Sequence, residues 1–92
     1  MKRRRVRVRI SGRVQRVFFR AYTHEAAQLI EVAGWVRNMR DGRVEAVFEG
    51  TEENVKKMIE WCYRGSPLSR VDSVEVVEEV FTGEFVEFDI TH

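Results

Sequence analysis

The hydrophobic period of this chain changes from two to 3.6 between residues 10 and 22, as it does where a strand is followed by a helix. Val6, Val8 and Ile10 alternate with Arg5, Arg7 and Arg9, as the two faces of a half-buried strand require. The alternation predicts a first strand over about 4–11. Tyr22, Ala26, Leu29, Ile30 and Ala33 then fall at i, i+4, i+7, i+8 and i+11, which is one face of an α-helix. On this reading Tyr22 belongs to the core, and Gly34 is the left-handed residue that ends the helix.

The second half follows the same order of periods with different residues. "WVRNM" and "RVEAVFEG" flank "RDG", so Asp41-Gly42 is expected to turn a β-hairpin with Val44, Ala46 and Phe48 facing inward. Thr51 is a good N-cap, Glu52 and Glu53 suit the positive first turn of a helix, and Val55, Met58, Ile59 and Cys62 form its apolar stripe. Gly65, Ser66 and Pro67 end it. Strands are expected over about 70–80 and 85–90, with Thr82-Gly83 as the turn signal and Phe88 and Ile90 alternating with Glu87 and Asp89. The order β-α-β-β-α-β plus a short closing strand describes an α+β, ferredoxin-like split β-α-β sandwich, an antiparallel sheet with two helices on one face. A chain of 92 residues has room for one such domain, expected over 1–92.

Charge is distributed unevenly along this pattern. Residues 1–20 hold nine basic residues and no acid, whereas the remainder holds seven basic and fifteen acidic ones. Such a block suits a nucleic-acid patch or a docking surface for smaller anions. The competing expectation is that Arg5, Arg7 and Arg9 lie on the solvated face of their strand and pair across the sheet with acids. No apolar run approaches the roughly 20 residues of a membrane span, and "MKRRRVRVRI" lacks the solid apolar segment of a signal peptide. A cytoplasmic monomer without membrane association is expected. Cys62 is the single cysteine; it has no internal disulfide partner and is expected to be a buried structural thiol.

The loop "GRVQRVF" at 12–18 joins the first strand to the N-terminus of the first helix. Main-chain N–H groups there lack intrahelical partners and the helix dipole is positive. If the N–H groups of Val14, Gln15, Arg16, Val17, Phe18 and Phe19 curl into a concave nest, they can hold a phosphate or sulfate ion, and Arg20 can close the nest with a bidentate fork. The loop matches neither of the common glycine-rich phosphate motifs.

A second element, "GWVRNMRDGRVEAVFEG" at 34–50, sharpens the reading. Taken together, "GRVQRVFFR", "GWVRN..DG.VEA..EG" and a late "F.I" closely resemble the acylphosphatase family over essentially the whole chain. The resemblance implies a small ferredoxin-like hydrolase that cleaves the carboxyl-phosphate anhydride of small acyl phosphates without metal or other cofactor. It also implies site residues: Arg20 for the phosphate, Asn38 for orienting the attacking water, and main-chain N–H groups of Val14 to Phe19 for the phosphate oxygens. Where the family pattern usually reads "VQGV" this chain reads "VQRV", so Arg16 replaces a glycine. Arg16 either occupies a backbone conformation that glycine tolerates better, at of order 1 kcal/mol, or adds a second cation; the first is the expectation, because the N–H groups and Arg20 already satisfy a phosphate.

Other residues carry weaker signals. "HEAAQ" at 24–28 has Gln28 where a zinc motif HExxH needs its second histidine, so His24 is expected to be a surface helix residue and no metal is expected. Trp35 and Trp61 are expected to pack in the core or at an edge. An RNA-binding module of the same topology would show exposed aromatics on its central strands; the corresponding "RVEAVFEG" has glutamates and one aromatic, which argues against nucleic acid. A catalytically weak anion-binding module of the same shape is the remaining alternative.

Overall fold

The computed structural model describes residues 2–92. Strand β1 (Arg3–Arg13) is followed by helix α1 (Phe19–Ile30), strands β2 (Ala33–Asn38) and β3 (Val44–Thr51), helix α2 (Glu52–Arg64), strand β4 (Arg70–Glu79) and the short β5 (Phe88–Ile90). The sheet order is β4-β1-β3-β2-β5. β1, β2, β3 and β4 pair antiparallel, while β5 runs parallel to β2. The expected ferredoxin-like α+β sandwich is present, with a mixed sheet in place of a wholly antiparallel one. No helix among the described residues is long and apolar enough to cross a membrane.

One face of the sheet is the core. Val6, Val8 and Ile10 of β1, Val44, Ala46 and Phe48 of β3 and Val36 of β2 are buried against Ala26 and Ala27 of α1 and Val55, Met58 and Cys62 of α2. Thr51 Oγ1 accepts from Asn54 N at 3.2 Å, which caps α2 as expected. Gly65 ends α2 at φ 72° and donates to Trp61 O at 2.8 Å. Burial without a charge partner pushes the Cys62 thiol up to about 12.

The buried face of α1 starts three residues earlier than the sequence suggests. Phe19, Thr23, Ala26 and Ala27 are buried and Ile30 is partly so, whereas Tyr22 and Leu29 are exposed, Leu29 to 77%. The same i, i+4, i+7, i+8, i+11 template therefore begins at Phe19. Thr23 hid the register because it is polar, and it enters the core because its Oγ1 donates to Phe19 O at 2.7 Å. Gly34 does not end the helix. Glu31 takes the left-handed conformation there, at φ 70°, and Gly34 lies inside β2 at φ 139°, where a Cβ would strike Val47 O across the ladder.

The Asp41-Gly42 turn forms as expected, closed by Met39 N donating to Arg43 O at 2.8 Å. Thr82-Gly83 does not turn a hairpin, because β4 and β5 lie on opposite edges of the sheet. The segment between them must cross, and it is tied on the way: Glu49 Oε2 accepts from Thr82 N at 3.0 Å and from Arg5 Nη1 at 3.4 Å.

Opposite the helices the sheet carries the paired arginines. Arg9 Nε donates to Glu45 Oε2 at 2.9 Å and Arg37 Nε to Glu45 Oε1 at 2.8 Å, while Arg7 Nε donates to Glu79 Oε2 at 2.7 Å. Arg5 pairs with Glu79 on this face too, while Arg4, on the same side of β1 as Val6, pairs with Glu78 on the other. Trp35 has Arg7 and Arg37 over its ring at 5.4 and 5.5 Å, and Trp61 packs edge-on against Phe19.

Candidate active site

The loop between β1 and α1 is held from behind by its apolar side chains. Val14, Val17 and Phe19 are buried, while Arg16 and Phe18 stay exposed. Two polar ties fix its height: Gln15 Nε2 donates to Met39 O at 2.7 Å and Arg43 O at 2.9 Å, and the buried Ser66 Oγ donates to Val17 O at 2.9 Å. Gln15 thereby docks the loop on the β2–β3 turn, close to where Asn38 ends β2.

Between these anchors the backbone takes the left-handed conformation twice, at Arg16 (φ 62°) and Phe18 (φ 61°). Left-handed residues alternating with others turn successive N–H groups toward one side, which makes a concave anion nest. No acceptor among the described residues takes the N–H groups of Gln15 to Phe19. Phe18 is the N-cap of α1 without a side-chain cap, and no acid stands in the first turn, so the positive end of the helix is left for an outside anion. The φ of Arg16 bears out the expectation that it stands in a glycine-like conformation, which costs a non-glycine residue on the order of 1–2 kcal/mol.

A cavity of about 350 Å³ lies at this loop, walled by Val14, Arg16, Phe18, Phe19, Arg20 and Asn38 of the expected set. Gln15 and Val17, also expected at the site, contribute backbone and support: the Gln15 amide is spent on the hairpin and the Val17 side chain is core. Ala21, Ile90 and His92 complete the wall, and sequence reasoning had not placed them there. They arrive because β5 pairs Ile90 with Val36 and Thr91 N donates to Val36 O at 2.8 Å, which sets residue 92 beside Asn38. Arg20 Nη1 lies 3.4 Å from His92 Nδ1. None of the lining side chains is acidic, so within the wall Arg20 meets the His92 ring and no carboxylate side chain. The described residues hold no group of three His, Cys, Asp or Glu able to bind a metal ion; His24 packs instead against Phe88, ring centroids 6.3 Å apart.

Comparison with known proteins places the whole chain beside one family. The family model described as acylphosphatase matches residues 6–90. An acylphosphatase of Syntrophobacter fumaroxidans is 63% identical over 91 residues, covering 99% of this chain and 94% of that protein. One of Rubrobacter xylanophilus is 53% identical over 87 residues, covering 95% and 79%. Among solved structures, the acylphosphatase of Bacillus subtilis superposes with a TM-score of 0.93 at 36% identity, covering 97% of this chain and 99% of that one.

Proposed function

The chain belongs to the acylphosphatase family and is a hydrolase of acyl phosphates, and on that premise we propose how its residues divide the reaction. Arg20 and the N–H groups of residues 14–19 hold the phosphoryl oxygens, and Asn38 orients the attacking water. The observation that carries this reading is the conjunction of two left-handed residues, unpartnered N–H groups, Arg20 and Asn38 in one acid-free cavity.

The chemistry fits so small a set of groups. The leaving carboxylate of an acyl phosphate is stable, so it needs no strong acid on its oxygen. Catalysis then rests on positioning and on stabilising the charge of the equatorial phosphoryl oxygens. Fixed N–H dipoles and the guanidinium supply that charge stabilisation without reorganising during the reaction. Asn38 is half-buried, and its side chain has no hydrogen-bond partner among the described residues. Its amide oxygen can accept a hydrogen bond from water and aim the lone pair at phosphorus. An amide cannot remove a proton, so the water proton passes to an oxygen of the substrate's own phosphate. The P–O bond to the carboxylate breaks as the new P–O bond forms, giving carboxylate and inorganic phosphate. We place this activity in a cytoplasmic monomer, a setting that suits one buried, unpaired thiol.

Release of inorganic phosphate from benzoyl phosphate tests the reading. Turnover is expected to be unchanged by EDTA. Asn38→Ala is expected to lower kcat by about 10²-fold or more, the scale of one lost catalytic hydrogen bond, while inorganic phosphate inhibits the variant as it does the parent. A rise in KM alone would remove Asn38 from the water-positioning role.

A further inference from the structure

We propose that Arg16 builds a second anion subsite in the same cavity, and that the enzyme prefers acyl phosphates whose acyl group carries its own carboxylate. The proposal rests on the phosphate-cradle reading and assigns the other end of the substrate. Arg16 and Arg20 both line the cavity. Arg20 stands next to His92, 3.4 Å away, in the wall that also holds Asn38, where the transferred phosphoryl group belongs. Arg16 precedes the helix by three residues and has no ion-pair or hydrogen-bond partner among the described residues. Arg4, Arg5, Arg7 and Arg9 in the middle of β1 have glutamate partners, and Arg3 and Arg13 at its ends, also without carboxylate partners among the described residues, do not line this cavity.

An exposed guanidinium without a partner keeps its planar fork free for an oxyanion, and carboxylate is the group that fork matches in two parallel bonds. Phe18 and Ile90, both partly exposed in the same wall, give the short carbon chain between the two anions an apolar surface. The cavity volume, about 350 Å³, is near the lower end of the roughly 300–1,000 Å³ of small-molecule sites. That favours a compact dicarboxylic acyl chain over a large acyl group.

The test compares succinyl phosphate with butyryl phosphate, which share chain length and differ in the terminal carboxylate. The readout is the ratio of their kcat/KM values, in which any general change in the loop cancels. Arg16→Gln is expected to lower the ratio about tenfold at low ionic strength, mostly through KM for succinyl phosphate, and the difference is expected to shrink as salt screens the pair. Arg16→Lys should restore part of the preference, as a point charge without the fork. Should Arg16→Gln fold poorly, Arg16→Gly serves in its place, since glycine suits that φ. An unchanged ratio in the neutral variant overturns the subsite while leaving the hydrolase reading intact. Failure of the parent protein to hydrolyse either substrate would instead overturn the reading on which the subsite rests.

Discussion

Arg9 and Arg16 carry the same side chain a few residues apart, yet one is neutralised and the other is free. Arg9 lies on β1 opposite Glu45 on β3 and Glu75 on β4, and its guanidinium meets both carboxylates, at 2.9 and 3.2 Å. Direct cross-strand neighbours approach closely enough for this to follow from register alone. Arg16 lies beyond the end of the ladder, past the irregularity at Ser11 and Gly12, where no strand presents an acid. Within the basic block, Arg4, Arg5, Arg7 and Arg9 tie the sheet together through glutamates, whereas Arg16 and Arg20 line the loop cavity, where no side chain is acidic.

The largest expected effect breaks the comparison at its functional end. Arg20→Ala should lower kcat/KM by about 10³-fold and abolish inhibition by inorganic phosphate, at the upper scale for loss of one group that stabilises transition-state charge. Arg9→Ala, assayed beside it, should change kcat/KM less than about threefold. Comparable losses in the two variants would show that the strand set also serves the substrate.

The reverse experiment strikes the sheet. Glu45 is 2% exposed and accepts from Arg9 and Arg37, with Arg7 at 3.4 Å. Glu45→Ala should cost about 2–3 kcal/mol in urea unfolding, less than a fully buried pair because the arginines keep part of their solvent, with kcat preserved. Burial pushes the Glu45 carboxyl up, but hydrogen bonds from Arg37 and Arg9 outweigh it and hold the group below its ordinary 4.5. The hydrogen bond from Arg7 likewise holds Glu79 low. A carboxyl depressed in the folded state contributes its full stability above the ordinary value and loses it as pH falls through the folded one. The melting temperature should therefore stay level from neutrality down to about pH 5 and drop below it. Glu45→Gln should flatten that drop.

The smallest effect sharpens the loop side. Ser66→Ala removes the donor to Val17 O, leaving a buried carbonyl unpartnered, and should cost about 1–2 kcal/mol in urea unfolding. If Ser66 fixes the height of the nest, KM for benzoyl phosphate should also rise severalfold; an unchanged KM would show that Gln15 and the apolar anchors suffice.

What the residues determine by themselves is everything local. Alternation of Val6, Val8 and Ile10 defines β1, Thr51 and Gly65 bound α2, and Asp41-Gly42 turns the hairpin. Each depends on side chains within a few positions of one another. The left-handed backbone at Arg16 is instead expected from the glycine that the resembling family carries there. Tertiary structure decided the rest. The face of α1 turned on which side packs against the sheet and α2, and that side buries Phe19, Thr23, Ala26 and Ala27. The role of Thr82-Gly83 turned on which edge β5 joins, and pairing with β2 rather than β4 is a choice among distant partners. That choice carries Ile90 and His92 to the cavity, more than fifty residues along the chain from Asn38. It likewise fell to the sheet register to separate paired arginines from free ones, because charge is a property of the residue but its neutralisation belongs to the neighbour across the strand.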